Sequence, residues 1–183
     1  MVETEYKLLL TQQRFDDLMK QLISKAPHKK KLQMNYYYDT ANFDLYKIGN
    51  SLRIRQVGSV LKLQYKEDKE KKETGRTSVE HEVSVLSLPP IISASRFATI
   101  PLSYSEYNYI GNLVTERTEF DYYAAKIMLD KNMYLGRIDF EIEIEYTNIK
   151  HLYKIIEDLH LSLNEYNNMP GKYSRFIMCL DQF

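Results

Sequence analysis

At 183 residues the chain is long enough to bury a substantial core as one domain, 1–183. Lys plus Arg and Asp plus Glu both number 25, so no global field draws the protein to nucleic acid or an anionic membrane, and any anion site must be local. The lone Cys179 excludes an internal disulfide framework, no apolar run approaches the ~20 residues of a membrane span, and Met1-Val2-Glu3-Thr4-Glu5 is unlike a signal peptide. The expectation is a cytoplasmic protein, monomer or homodimer, with a small-molecule partner rather than nucleic acid or membrane.

From the start, Val2 to Leu10 alternates as a strand, with Glu3, Glu5 and Lys7 on one face and Val2, Thr4, Tyr6 and Leu8 on the other. Thr11 is a predicted N-cap for a helix striped by Phe15, Leu18, Met19, Leu22 and Ile23 and ended by Pro27. His28-Lys29-Lys30-Lys31 reads as a basic loop without a role of its own. Leu32 to Asp39 reads as a strand running into Tyr36-Tyr37-Tyr38-Asp39-Thr40, with its tyrosines packing, and Asn42 and Asp44 mark a turn.

Ser51 to Gln56 places Arg53 and Arg55 on one face and Leu52 and Ile54 on the other. Two planar, permanently charged guanidiniums in register suit phosphate oxygens. After a turn at Gly58-Ser59 the next strand repeats the device with Lys62, Gln64 and Lys66 opposite Leu61, Leu63 and Tyr65, which makes a hairpin. Glu67 to Arg76, dense in Lys and Glu, reads as a mobile solvated loop. Val79 to Val83 restores alternation with Glu80 and Glu82 on one face; His81 has no second histidine at ligand spacing.

Ser87 to Asn112, with Pro89-Pro90 and Pro101, suggests one or two short helices. Leu113 to Tyr123 sets Thr115, Arg117 and Glu119 against Val114, Thr118 and Phe120, Ala125 to Asp130 reads as a strand, and Lys131-Asn132 as a turn. Asn148 caps a helix striped by Ile149, Leu152, Tyr153, Ile156 and Leu159, and Pro170-Gly171 opens a short helical tail.

The strand from Arg137 to Tyr146 carries the sharpest signal: Asp139, Glu141, Glu143 and Glu145 on one face, Ile138, Phe140, Ile142, Ile144 and Tyr146 on the other. Same-face neighbours lie about 6.6 Å apart, so adjacent ionised glutamates repel by roughly 2–3 kcal/mol at an effective dielectric near 20. A solvated sheet face is one answer. One-sided rows of the opposite sign on other strands give a second: a barrel with its charged faces turned inward and its apolar faces covered by amphipathic helices. Such a lumen would suit a metal-bound polyphosphate.

Glu3-x-Glu5-x-Lys7 resembles the E-x-E-x-K signature of the CYTH family, the triphosphate tunnel metalloenzymes, which include thiamine triphosphatases, inorganic triphosphatases and class IV adenylyl cyclases. Tyr37-Tyr38-Asp39-Thr40, Leu52-Arg53-Ile54-Arg55, Leu63-Gln64-Tyr65-Lys66, the Glu80 and Glu82 pair, Arg117, the Glu141, Glu143, Glu145 strand and Lys172-Tyr173-Ser174-Arg175 resemble further family positions in order. The resemblance implies an α+β fold built on an antiparallel eight-stranded tunnel, dependence on Mg²⁺ or Mn²⁺, and a triphosphate-bearing substrate.

With the charge pattern, it implies that Glu3, Glu5, Glu141, Glu143 and Glu145 bind metal. Lys7, Arg53, Arg55, Lys62, Lys66, Arg117, Lys172 and Arg175 would bind phosphates, with Lys66, Arg117 and Glu143 acting in the chemical step. Glu80 and Glu82 would bind a second ion or neutralise arginines. Two departures stand out: Ala41 where many members have Pro, and Thr115 where hydrolases of the family often carry a lysine as a candidate base. The expected function is metal-dependent hydrolysis of inorganic triphosphate or a small organic triphosphate. A class IV-type adenylyl cyclase and a noncatalytic polyphosphate sensor are the alternatives, the latter favoured if Thr115 has removed an indispensable base.

Overall fold

A computed structural model describes residues 2–72, 75–163 and 170–180. Its strands are β1 (Val2–Leu10), β2 (His28–Asp39), β3 (Ser51–Val57), β4 (Val60–Lys72), β5 (Gly75–Val85), β6 (Ile91–Ser93), β7 (Glu106–Tyr122), β8 (Ala125–Tyr134) and β9 (Arg137–Glu145). Its helices are α1 (Gln12–Lys25), α2 (Asp44–Lys47), α3 (Ile149–Asp158) and α4 (Lys172–Leu180). The strands lie in the order β2-β3-β4-β5-β1-β9-β8-β7-β6, and β2 also pairs with β7, so eight of the nine close into a barrel and β6 extends from the end of β7. Every pairing is antiparallel.

Alternation dictates this arrangement. With charged residues facing in, the apolar rows face out and must be buried from outside. α1, capped by Thr11, and α3, capped by Asn148, cover the outer face of β1, β7, β8 and β9. Leu22, Leu152 and Ile155 are fully buried there, each contributing about 1.5–3 kcal/mol. On the opposite side, Ile92, Ile100 and Tyr107 pack on Leu52, Ile54, Leu63 and Tyr65.

Four segments differ from the sequence reading. His28 to Lys31 is strand, not loop: its backbone pairs with Phe120 to Arg117 of β7, and Lys31 Nζ reaches Glu119 at 2.6 Å. Composition there reports solvated side chains, whereas the backbone follows its hydrogen-bond partner. The Glu67 to Arg76 loop likewise becomes the long arms of the β4–β5 hairpin, with a register shift between Asp68 and Glu70; residues 73 and 74 lie outside the described residues. β8 continues through Lys131 and Asn132, because the turn into β9 is made by Leu135 and Gly136, both left-handed at φ 46° and 71°.

Between Ser87 and Asn112 there are no α-helices but the short β6, a 3-10 turn at Ala94–Arg96 and the start of β7. The turn expected at Asn42 is present, at Ala41 and Asn42, and the one-turn helix α2 follows it from Asp44. Its formation is explained by Asp39, whose buried carboxylate accepts the backbone N–H groups of Thr40, Leu45 and Tyr46 at 2.7–2.9 Å. No helix among the described residues is long and apolar enough to cross a membrane.

α4 packs its Tyr173, Phe176 and Ile177 against Tyr37, Leu113 and Tyr134 of the barrel. This needs glycine at 111, since a Cβ there would stand 2.6 Å from Phe176 Cζ. Gly111→Ala should therefore unseat Phe176 and lower stability by about 1–3 kcal/mol, read as a drop in melting temperature. An unchanged melt would mean that α4 is not held by this close approach.

Candidate active site

The barrel brings the inward rows together in pairs set by register. β1 and β9 place Glu5 opposite Glu145 and Lys7 opposite Glu143. β7 and β8 place Arg117 opposite Asp130, and β3 to β5 set Arg53 beside Gln64 and Lys66 beside Glu80. α4 adds Lys172 and Arg175 from the end of the barrel. It is oriented by two aspartates, the buried Asp39 and the partly buried Asp139: Asp39 accepts Tyr173 Oη at 2.6 Å, and Asp139 accepts Arg175 Nε at 2.9 Å.

Most of the acidic row is answered by cations of the chain itself. Glu143 contacts Lys7 at 2.8 Å, Arg117 at 2.5 Å and Lys172 at 3.0 Å. Glu141, fully buried, pairs with Lys172 and with Arg175 at 2.6 Å. Asp130 receives both Nε and Nη2 of Arg117, at 2.8 and 2.6 Å, and Lys172 at 2.8 Å. Asp130, Glu141 and Glu143 bring carboxylate oxygens within 4.8 Å of one another, a grouping able to hold a metal ion, yet the Lys172 ammonium already touches all three. Burial would raise the Glu5 and Glu143 carboxyls, but Lys7 with Lys66, and Lys7 with Arg117, outweigh it and hold both at about 2.

Two groups of charge are left over. Glu145 has no ion-pair partner among the described residues, and burial with Glu3 and Glu143 nearby pushes its carboxyl up to about 7. Glu3 has, among the described residues, only Lys66, at 3.6 Å, and is also raised, by burial first. On the other wall, Arg55 bonds a neutral partner, Asn35 Oδ1, at 2.9 Å; burial, Arg53 and Arg117 lower it to about 9. Tyr37 Oη is buried close by without a well-formed hydrogen bond.

A cavity of about 140 Å³ separates these walls, lined by Glu3, Glu5, Lys7, Arg53, Arg55, Lys66, Glu80, Arg117, Glu143, Glu145 and Lys172 among the residues singled out from sequence. Five others lie elsewhere. Lys62 and Glu82 pair with each other at 2.5 Å, both nearly half exposed, while Glu141 and Arg175 sit buried behind Lys172. Thr115 is also away from the lining: fully buried, it donates to Asn132 Oδ1 at 2.8 Å, and Asn132 donates to Asp139 at 2.9 Å.

Sequence reasoning missed Tyr37, Asp68 and Arg76 of the lining and Asp130 beneath it. Asp130 was legible in principle. Lys126, Asp130 and Asn132 share a parity opposite to Ile127, Leu129 and Met133, which extends the strand through the supposed turn.

A family model of the CYTH domain matches residues 1–177. A Bacillus subtilis (strain 168) protein named "Putative triphosphatase YjbK" is 31% identical over 149 residues, 79% of this chain and 77% of its own length. A solved structure from Bacillus halodurans, of a "putative adenylate cyclase (bh2851)", shares 27% identity at a TM-score of 0.70, covering 95% of this chain and 96% of that one. The structure of "Putative adenylyl cyclase HpAC1" from Hippeastrum, whose description gives it a dominant triphosphatase activity, has a TM-score of 0.73 at 22% identity, covering 96% and 95%, and attests the shared fold. Spanned by the family model almost from end to end, and folded as an inward-charged tunnel around Glu3, Glu5 and Lys7, the chain belongs to the CYTH family.

Proposed function

We propose that the protein is a divalent-metal-dependent triphosphatase acting on inorganic triphosphate or a small organic triphosphate inside the tunnel. One observation carries this reading: a single cavity has a guanidinium without a carboxylate partner on one wall, at Arg55, and on the other a carboxyl without a cation, at Glu145, beside Glu3, which has Lys66 at 3.6 Å. A polyphosphate with a divalent cation supplies both missing charges. The 31% identity to a protein named as a triphosphatase supports hydrolysis over cyclisation.

The donor set fits Mg²⁺ or Mn²⁺, which take hard oxygen ligands and need only one or two protein carboxylates. Glu3 and Glu145 would hold the ion, since Asp130, Glu141 and Glu143 are already matched by Lys172, Arg117 and Arg175. Bound there, it would neutralise phosphate oxygens. Arg53, Arg55 and Arg117 would hold phosphoryl oxygens, with the Tyr37 hydroxyl a further donor. Lys7 and Lys66 would offset charge that develops as water attacks the terminal phosphorus and the bridging P–O bond breaks to release phosphate. Glu5 and Glu143 pair with those lysines at the cavity wall, Glu5 with both and Glu143 with Lys7. Thr115, committed to Asn132, is not the base.

Incubation with inorganic triphosphate, ATP and thiamine triphosphate, with Mg²⁺ or Mn²⁺, tests the reading. Phosphate release is the expected result; cyclic AMP with pyrophosphate would make the protein a cyclase, and tight binding without turnover a sensor. In calorimetry, Arg55→Ala should weaken triphosphate binding by about 1.5–3 kcal/mol, and unchanged affinity would remove Arg55 from the phosphate site.

Glu145 gives a pH signature. Its carboxyl moves from an ordinary 4.5 to about 7, so between those values the folded metal-free protein holds a proton that the unfolded chain has released. Stability from this group is greatest below pH 4.5 and is lost as pH rises through 7. Glu5 and Glu143, held at about 2, lose their contribution only in acid and are constant across this window. The melting temperature of metal-free protein should therefore fall from about pH 5 to pH 8. Saturating Mg²⁺ should offset the fall by binding the ionised form, and Glu145→Gln should lessen it without metal, leaving the smaller part due to the raised Glu3. A wild-type melting curve that rises across this range would place Glu145 outside the metal site.

A further inference from the structure

The segment that links β5 to β6 leaves its apolar side chains in solvent. Leu86, the first residue after β5, is fully exposed, and Leu88 and Ile91 are exposed as well. Val60, also exposed, lies beside Leu86, since each stands one residue beyond the paired Leu61 and Val85. Single exposed apolar side chains mean little, but these four together present roughly 400–500 Å² of apolar surface, the size of patch that marks an interaction face. Beside them, reaching to the 3-10 turn at Ala94–Arg96, lies a groove of about 330 Å³ lined by Ile54, Val85, Pro89, Ile92 and Phe97, with Leu86 at its lip. Its floor is set by Ile54 and Ile92 of the outer core.

Shape, charge and area all select a second copy of this chain as the occupant. The projecting leucine and the groove lie side by side on one face, so a two-fold rotation about an axis between them carries each copy's Leu86 into the other copy's groove, the isologous relation of most dimers. Charge does not oppose this contact: among the described residues Arg96 is the groove's one charged lining residue, and the chain has no net charge. The groove beside α1, of about 350 Å³, is the contrast: Lys30, Lys31 and Lys131 outnumber Glu116 in its lining, and two copies joined there would meet with like charge in excess. Hiding the four side chains on both copies removes roughly 800–1,000 Å² of apolar surface, at the lower edge of specific interfaces. That area suits a dimer in reversible exchange with its monomer.

We propose that the protein self-associates through this face as a two-fold dimer, Leu86 of each copy seated in the groove of the other. The contact joins outer faces rather than strand edges, and it stands independently of the triphosphatase reading.

Sedimentation velocity of the full chain over roughly 1–300 µM, the range in which a weak dimer dissociates, should show the average mass rising from monomer toward dimer. Leu86→Asp should raise the dissociation constant at least about tenfold, and Val60→Asp, on the neighbouring strand end, serves as a second variant that should weaken association in the same direction. Both should melt as wild type does at a concentration where it is monomeric, because an exposed side chain contributes little to the monomer. Ile138→Asp, which changes an exposed apolar residue of β9, should leave the dissociation constant within about twofold of wild type. Monomer throughout the range overturns the proposal and gives the face to a different molecule. Dimers that persist equally in Leu86→Asp and Val60→Asp, or that are lost in Ile138→Asp instead, place the contact on another surface and overturn it as well.

Discussion

The Lys172 ammonium, in contact with Asp130, Glu141 and Glu143 at once, is the interaction on which the interior depends. Three carboxylates within a few ångströms, shielded from water, would repel strongly at low dielectric, and a buried charge without a partner destabilises a fold by several kcal/mol. Lys172 comes from α4, the last helix, so the barrel's electrostatic balance is completed by a segment that follows all its strands in sequence. Arg175, one turn on, extends the same device to Glu141 and Asp139. α4 is thus both an apolar plug and a source of counter-charge.

That balance is incomplete by design of the register. Acids deep in the tunnel are matched one for one or better, whereas Glu145 and Glu3 near the rim and Arg55 on the facing wall are not. Stability is supplied elsewhere, by the outer cores beneath α1 and α3 and around Leu52, Ile54 and Leu63. The tunnel can therefore keep unmatched charge for a ligand because the packing that holds the fold lies on the opposite face of the same strands. Period-two alternation makes this division possible residue by residue.

Much of this was legible because alternation is a local signal. Glu3-Glu5-Lys7, Arg53-Arg55, Lys62-Lys66 and Glu141-Glu143-Glu145 declare one-sided strands without reference to anything distant, and Thr11 and Asn148 declare their helices through caps. The failures share a cause as well. His28 to Lys31 and Glu67 to Arg76 have the composition of loops, and only a partner strand far away in sequence shows them to be paired. Which glutamates are matched also depends on register and on α4, so five acids that look equivalent in sequence divide into Glu5, Glu141 and Glu143, held by lysine and arginine, and Glu3 and Glu145, largely left over. Lys62 follows Arg55's pattern but faces Glu82 rather than the cavity.

Closure between β2 and β7 has one more effect. An open sheet of this width would present two long rows of unpaired backbone N–H and C=O groups, each a template for a strand from another chain. The twelve-residue β2 and seventeen-residue β7 satisfy those rows with each other instead. Among the described residues, the strand left at a sheet edge is β6, three residues long and set among the prolines of its flanks. A foreign strand docking there would gain too few hydrogen bonds to hold, so a protein built on a nine-stranded sheet carries little of the usual liability of β-sheets to join edge to edge.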